Sequence, residues 1–198
     1  MLTVIALCLI AVCSAQHLPP HISETFSADI TFRTHMGPRG VRTETGRMDH
    51  DQTNNREAVS LQGMEGERET TFTRIALYHH DNQEGMRYTI QGAGNETHCE
   101  HRPLPGDLRP YWGFLMNADF ERETNYMGKD AFEFTFHNME SRSEGTILVD
   151  AMQTSIPLLV NHTHGDEFAE STEYRTFVPG PPPASDFEIP ASCRERRV

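Results

Sequence analysis

A chain of 198 residues is long enough to bury a substantial core, and its formal net charge of -12 argues against nucleic acid and anionic membrane surfaces as partners, because both need clustered cations. Hydrophobic residues make up 36%, with 11 Phe and 9 Met among them, a composition that suits a real core with some soft, adaptable lining.

The chain opens on an apolar run, Leu2–Cys13, that ends in the small residues Ser14 and Ala15. It is far shorter than the roughly 20 residues a membrane span needs and reads as a secretory signal peptide over 1–15, leaving 16–198 as a single β domain. No other apolar stretch could hold the chain in a bilayer. Cys8 and Cys13 leave with the signal, so Cys99 and Cys193 remain as an even pair in an oxidising compartment, and one disulfide is the natural reading. Two sequons, at Asn95 and Asn161, fit the same extracellular compartment as surface glycosylation sites.

Beyond the signal, period-two alternation dominates. Phe26, Ala28, Ile30 and Phe32 fall on one face of an extended segment, with Ser27, Asp29, Thr31 and Arg33 on the other. The same split sets Met86, Tyr88 and Ile90 against Arg87 and Thr89, and Phe132, Phe134 and Phe136 against Glu133, Thr135 and His137. Further strands are expected over residues 56–61, 71–78, 146–150, 156–160 and 174–178, with turns at 36–40, 81–85 and 92–95. One segment breaks the pattern: between Asp107 and Glu123, Trp112, Leu115, Met116 and Phe120 recur at helical spacing behind a potential N-cap at Asp107 and Pro110, which predicts a short amphipathic helix. It serves either as a plug in the core or as a lid over a cavity. The run Pro179–Pro183 is a stiff connector to a C-terminal clip over 187–193.

Several of these segments, taken together, carry a resemblance. Phe26-Ser-Ala-Asp29, Gly46-Arg-Met-Asp-His-Asp51 followed by Arg56, Tyr88-Thr-Ile90 ahead of Cys99, Asn117-Ala118 through Tyr126-Met-Gly128, Val149-Asp150 with Pro157, and the closing Phe187-Glu-Ile-Pro-Ala-Ser-Cys193 resemble the eukaryotic secreted LolA-like and ependymin-related group. The fold of that group is similar to the bacterial lipoprotein carriers LolA and LolB. The resemblance implies a curved antiparallel sheet forming an incomplete barrel, with one or two short helices in or over its concave face. It also implies a hydrophobic ligand, a lipid or acyl chain, held there without catalysis. Candidate lining residues are Phe32, Leu77, Tyr88, Ile90, Trp112, Met116, Phe134 and Phe136, each of which serves equally well as ordinary core.

Competing chemistry is thinner. His162, His164 and Asp166 fall on one side of an extended segment at a spacing that suits a metal but is unspecific, and no cofactor is implied. The Gly-x-Ser-x-Gly elbow, His-Glu-x-x-His and phosphate-loop patterns are absent from the sequence, which weighs against an enzyme. The alternative is an extracellular structural or adhesion glycoprotein with a fully packed core, its acidic surface, as at Asp119–Glu123, binding calcium weakly.

Overall fold

A computed structural model describes residues 17–35, 37–78, 84–93, 96–138, 143–164 and 168–194. The signal segment, the sequon at Asn95 and Asp166 lie outside them. Eleven strands follow in chain order: β1 (Thr25–His35), β2 (Val41–Asp51), β3 (Arg56–Glu65), β4 (Arg68–Leu77), β5 (Gly85–Ala93), β6 (Glu96–Leu104), β7 (Asp119–Tyr126), β8 (Lys129–Asn138), β9 (Ser143–Asp150), β10 (Pro157–His164) and β11 (Phe168–Pro179). They form one curved, unclosed antiparallel sheet in the order β6-β5-β4-β3-β2-β1-β11-β10-β9-β8-β7, so the first strand pairs with the last and the two edges are β6 and β7.

Alternation fixes what each face carries. The inner face, defined by Phe26, Ala28, Ile30 and Phe32, continues through their partners His50, Met48, Gly46 and Glu44 on β2 and Tyr174 and Thr172 on β11. Two glycines permit close approach on this face: a Cβ at Gly46 would run into the Ser60 carbonyl, and one at Gly145 into the Asn161 carbonyl and the Phe136 ring. The main core joins Phe26, Ile30, Phe134, Phe136, Ile147, Val149, Val160 and Tyr174 to Trp112, Leu115 and Ala118. Sealing those rings removes several large aromatic side chains from water, the dominant favourable term in folding.

The segment read as a helix over 107–123 is not one. It holds only a 3-10 turn, Gly113–Asn117, and then enters β7. Residues 119–126 instead gain the backbone hydrogen bonds of an edge strand on β8, and Gly113 adds a backbone entropy cost to any longer helix. What fixes the turn is a set of buried polar contacts. The Glu24 carboxylate accepts from the backbone N–H of Tyr111 at 2.6 Å and of Trp112 at 3.2 Å, and the Trp112 indole donates to the Ser23 carbonyl at 3.0 Å. Those bonds hold the segment against the inner face of β8 and β9 as a plug.

The closed end is built around the β2–β3 turn. Asp51, fully buried, accepts from the Asn54 side chain at 2.8 Å and from Arg56 Nε at 2.9 Å. Asn55 takes a positive φ of 57° and receives the Leu108 N–H at 2.8 Å, tying the plug segment to the turn. The Arg56 guanidinium also lies 4.1 Å from the centre of the Phe187 ring, so one arginine joins the turn to the C-terminal clip. Cys99 on β6 and Cys193 are disulfide-bonded, with Cα atoms 5.6 Å apart across 94 residues of chain.

Candidate functional site

Where the plug stops, the inner face opens. A cavity of about 390 Å³ is walled by Ile30 and Phe32 of β1, Met48 of β2, Val59 and Leu61 of β3, Phe72 and Arg74 of β4, Tyr111 and Phe114 of the plug, Val160 and His162 of β10, and Glu170, Thr172 and Tyr174 of β11. Phe32, Leu61 and Phe72 also line a larger outer cleft of about 660 Å³ whose remaining walls are polar, among them Arg42, Glu44, Thr70, Gln91 and His98. These three side chains therefore form an apolar waist between a greasy inner chamber and a wet mouth. The inner volume falls within the range of about 300–1,000 Å³ in which small-molecule pockets occur.

The polar groups of the chamber are few. The hydroxyls of Tyr111 and Tyr174 are hydrogen-bonded at 3.1 Å. Burial raises both above the usual phenol range, Tyr174 the more so because Tyr111 adds to it. Both therefore stay neutral and serve as hydrogen-bonding groups rather than bases. Burial, helped by neighbouring His164, pulls His162 below the ordinary imidazole value, and its ring stands edge-on to Phe114 at 5.3 Å and Phe136 at 5.1 Å. Arg74 Nη2 lies 3.5 Å from Glu57 Oε1, and Arg74 Nε is buried without a hydrogen-bond partner.

The eight residues proposed from sequence as cavity lining part company here. Phe32 is in the wall of both chamber and cleft. Leu77, Tyr88 and Ile90 are on the opposite face of the sheet: they pack with Ala58 and Ile75 against Phe187 of the clip. The register explains it, since Tyr88 pairs with Ile75 and Ile90 with Thr73, one residue out of step with the inward Phe72 and Arg74. Phe134 and Phe136, each 1% exposed, are core beneath the plug, and Trp112 belongs to the plug itself. Met116 points away, 81% exposed. Met48, Val59, Leu61 and Phe72, the true walls, were hidden because β2 reads Val-Arg-Thr-Glu-Thr-Gly-Arg-Met and lacks an apolar alternation, so nothing in the sequence told which face of β3 and β4 would meet it.

Among the described residues no cluster of three or more His, Cys, Asp or Glu is placed to hold a metal ion. The His162 and His164 rings stack with centroids 6.3 Å apart on β10, and Asp166 lies outside the described residues. Asn161 faces outward, its Nδ2 donating to Thr146 Oγ1 at 3.2 Å. No helix among the described residues is long and apolar enough to cross a membrane.

No family model matches the chain. No curated protein matches it either. Among solved structures, it is similar to a LolA superfamily protein from Nitrosomonas europaea at 7% identity and a TM-score of 0.37, over 86% of this chain and 93% of the other. It is also similar to a domain from a putative outer membrane lipoprotein-sorting protein of Vibrio parahaemolyticus at 10% identity and a TM-score of 0.36, over 82% of this chain and 88% of the other.

Proposed function

We propose that this chain is a secreted, non-catalytic binder of a hydrophobic small molecule, held in the chamber between the plug and strands β1–β4. The observation that carries the reading is the apolar wall formed by Ile30, Phe32, Met48, Val59, Leu61, Phe72, Phe114 and Val160 around a volume of about 390 Å³. A methylene takes up about as much room as a water molecule, roughly 30 Å³, so that volume accepts about 13 such groups, one chain and not two. Burial keeps the tyrosine pair neutral, so it meets a ligand as hydrogen-bonding groups. Secretion and glycan occupancy at Asn95 and Asn161 belong to the same proposal, supported by the Cys99–Cys193 disulfide.

The test is uptake of the neutral fluorophore N-phenyl-1-naphthylamine by the secreted protein, with Leu61→Trp as the blocking variant. Trp at the waist fills the chamber entrance, so binding is lost while the melting temperature changes little. A wild-type protein that takes up no fluorophore overturns the reading. The packed alternative, an extracellular structural glycoprotein, then takes its place, favoured by the complete burial of Phe134 and Phe136.

A further inference from the structure

One side chain in the chamber is out of keeping with the rest. Arg74 extends from the inner face of β4 at the level of Val59, its register partner on β3, one step along from the Leu61–Phe72 pair. Its Nε is buried and makes no hydrogen bond, while Nη2 makes only a long 3.5 Å approach to Glu57. The guanidinium as a whole keeps solvent, the Arg74 side chain being 40% exposed, but its buried Nε donor has no hydrogen-bond partner among the described residues, and an acceptor that arrives with a ligand fills that place. A second donor faces the same space. In the Tyr111–Tyr174 pair one hydroxyl proton bridges the two oxygens, which leaves the other for a third acceptor. Arg74 and Tyr111 both stand in the wall of this one chamber.

Resting on the binding reading above, we propose that the ligand is a single-chain carboxylate amphiphile, its carboxylate held by Arg74 and the free tyrosine proton and its chain lying along Phe32, Leu61, Phe72 and Val160. Two acidic groups limit the charge of the head. Glu57 already offsets part of the Arg74 charge, and Glu170 stands in the opposite wall beside His162, its register partner. A monoanion is accommodated between them; a phosphate dianion is repelled. A chamber of that volume suits one chain of about a dozen carbons.

The experiment is competition against bound N-phenyl-1-naphthylamine on the full disulfide-bonded protein, comparing dodecanoate with 1-dodecanol, which differ only in the head. Dodecanoate is expected to displace the fluorophore at roughly tenfold lower concentration, as a charge-assisted hydrogen bond would give. Arg74→Gln removes that preference, bringing the two competitors to about the same concentration, and Tyr111→Phe reduces it by a smaller factor. Equal competition by the two ligands in the wild-type protein overturns the carboxylate assignment and leaves the binding reading standing. A preference that persists in Arg74→Gln overturns the role of Arg74. Fluorophore binding that is itself absent overturns the reading on which this one rests. The wild-type comparison holds whether or not Arg74→Gln folds, and Tyr111→Phe supplies the second variant.

Discussion

In strands β7–β11 the inner face is sealed: Phe134, Phe136, Ile147 and Val149 are all but inaccessible beneath Trp112 and Leu115, while the outer face carries groups such as Glu133, which pairs with Arg122 at 2.7 Å. In strands β3–β5 the outer face is the covered one, with Ala58, Ile75, Leu77, Tyr88 and Ile90 packed under Phe187, and the inner face carries Glu57, Arg74 and Thr70. The outer face of β8–β10 also carries a smaller cluster, Ala131, Leu148 and Leu158 with Tyr126 and Leu159, so what separates the two ends is the inner face, sealed by the plug in one and open in the other. The chamber spans the changeover from β10 and β11 across β1 to β4, where the plug has ended and the inner face carries Val59, Leu61 and Phe72 beside Arg74. A cavity at that place needs no special lid, because it is the seam between two cores.

The largest expected effect is at the sealed end. Phe134→Ala leaves a ring-sized void in a core that the plug cannot collapse into, and costs about 3–5 kcal/mol of stability. Thermal melting followed by far-ultraviolet circular dichroism reads it. Glu133→Gln, one residue away on the outer face, removes a surface ion pair worth about 0.2–1 kcal/mol. If the two variants melt alike, the sealed face has been assigned to the wrong side of β8.

The second variant attacks the covered outer face at the other end. Replacing Cys99 and Cys193 by Ala removes the covalent tie of the clip to β6 and costs about 2–5 kcal/mol, whereas fluorophore affinity should stay within about twofold, since distant sites add to within a few tenths of a kcal/mol. Phe187 and its contact with Arg56 keep the clip docked, so the loss is not complete unfolding. A collapse of binding in this variant would mean that the clip supports the chamber, contrary to the separation of the two faces.

How much of this division was legible in the sequence depends on the residue. Phe26, Ala28, Ile30 and Phe32, and again Phe132, Phe134 and Phe136, declare a strand and a shared face through strict alternation, and the sheet follows from them. Tyr88 and Ile90 declare a shared face just as clearly, yet alternation is blind to which of two faces will be covered, and here Phe187 arrives from residues almost a hundred positions away. The strands with charged alternation, 41–51, 96–104 and 119–126, gave no apolar signal and were legible only as gaps. The plug misled in the other direction: Trp112 and Leu115 of the turn and Phe120 of β7 reach the same core from different local structures, the turn held by Glu24 through a contact that no local pattern encodes.

The smallest effect separates the two ends by pH. His50 sits on the inner face of β2 and His162 on that of β10, and burial lowers both below the ordinary imidazole value; at His50 Gln52 and Glu57 oppose the shift, and at His162 nearby His164 adds to it. A base whose folded value is lowered favours its neutral form in the fold. Its stabilising contribution is therefore complete above the unfolded value of about 6.5 and is lost as pH falls through the folded value. The buried acids act elsewhere. Burial raises Asp49 despite Ser27 and Arg47, so its contribution fades as pH rises through its folded value. At Asp51 burial is outweighed by hydrogen bonds from Asn54 and Arg56, and the lowered carboxyl loses its contribution only as pH falls below about 3.9. Melting temperature is thus expected to drop between about pH 7 and pH 5, and the readout is the slope over that window in His50→Gln and His162→Asn. The groups facing His162 are His164, the Phe114 and Phe136 rings and its register partner Glu170. A ligand chain in the chamber buries it further, so saturating 1-dodecanol, which does not itself titrate, should steepen the wild-type slope and leave that of His162→Asn unchanged. A His162→Asn slope parallel to wild type, with and without ligand, would show that His162 stays solvated and does not stand in the chamber wall.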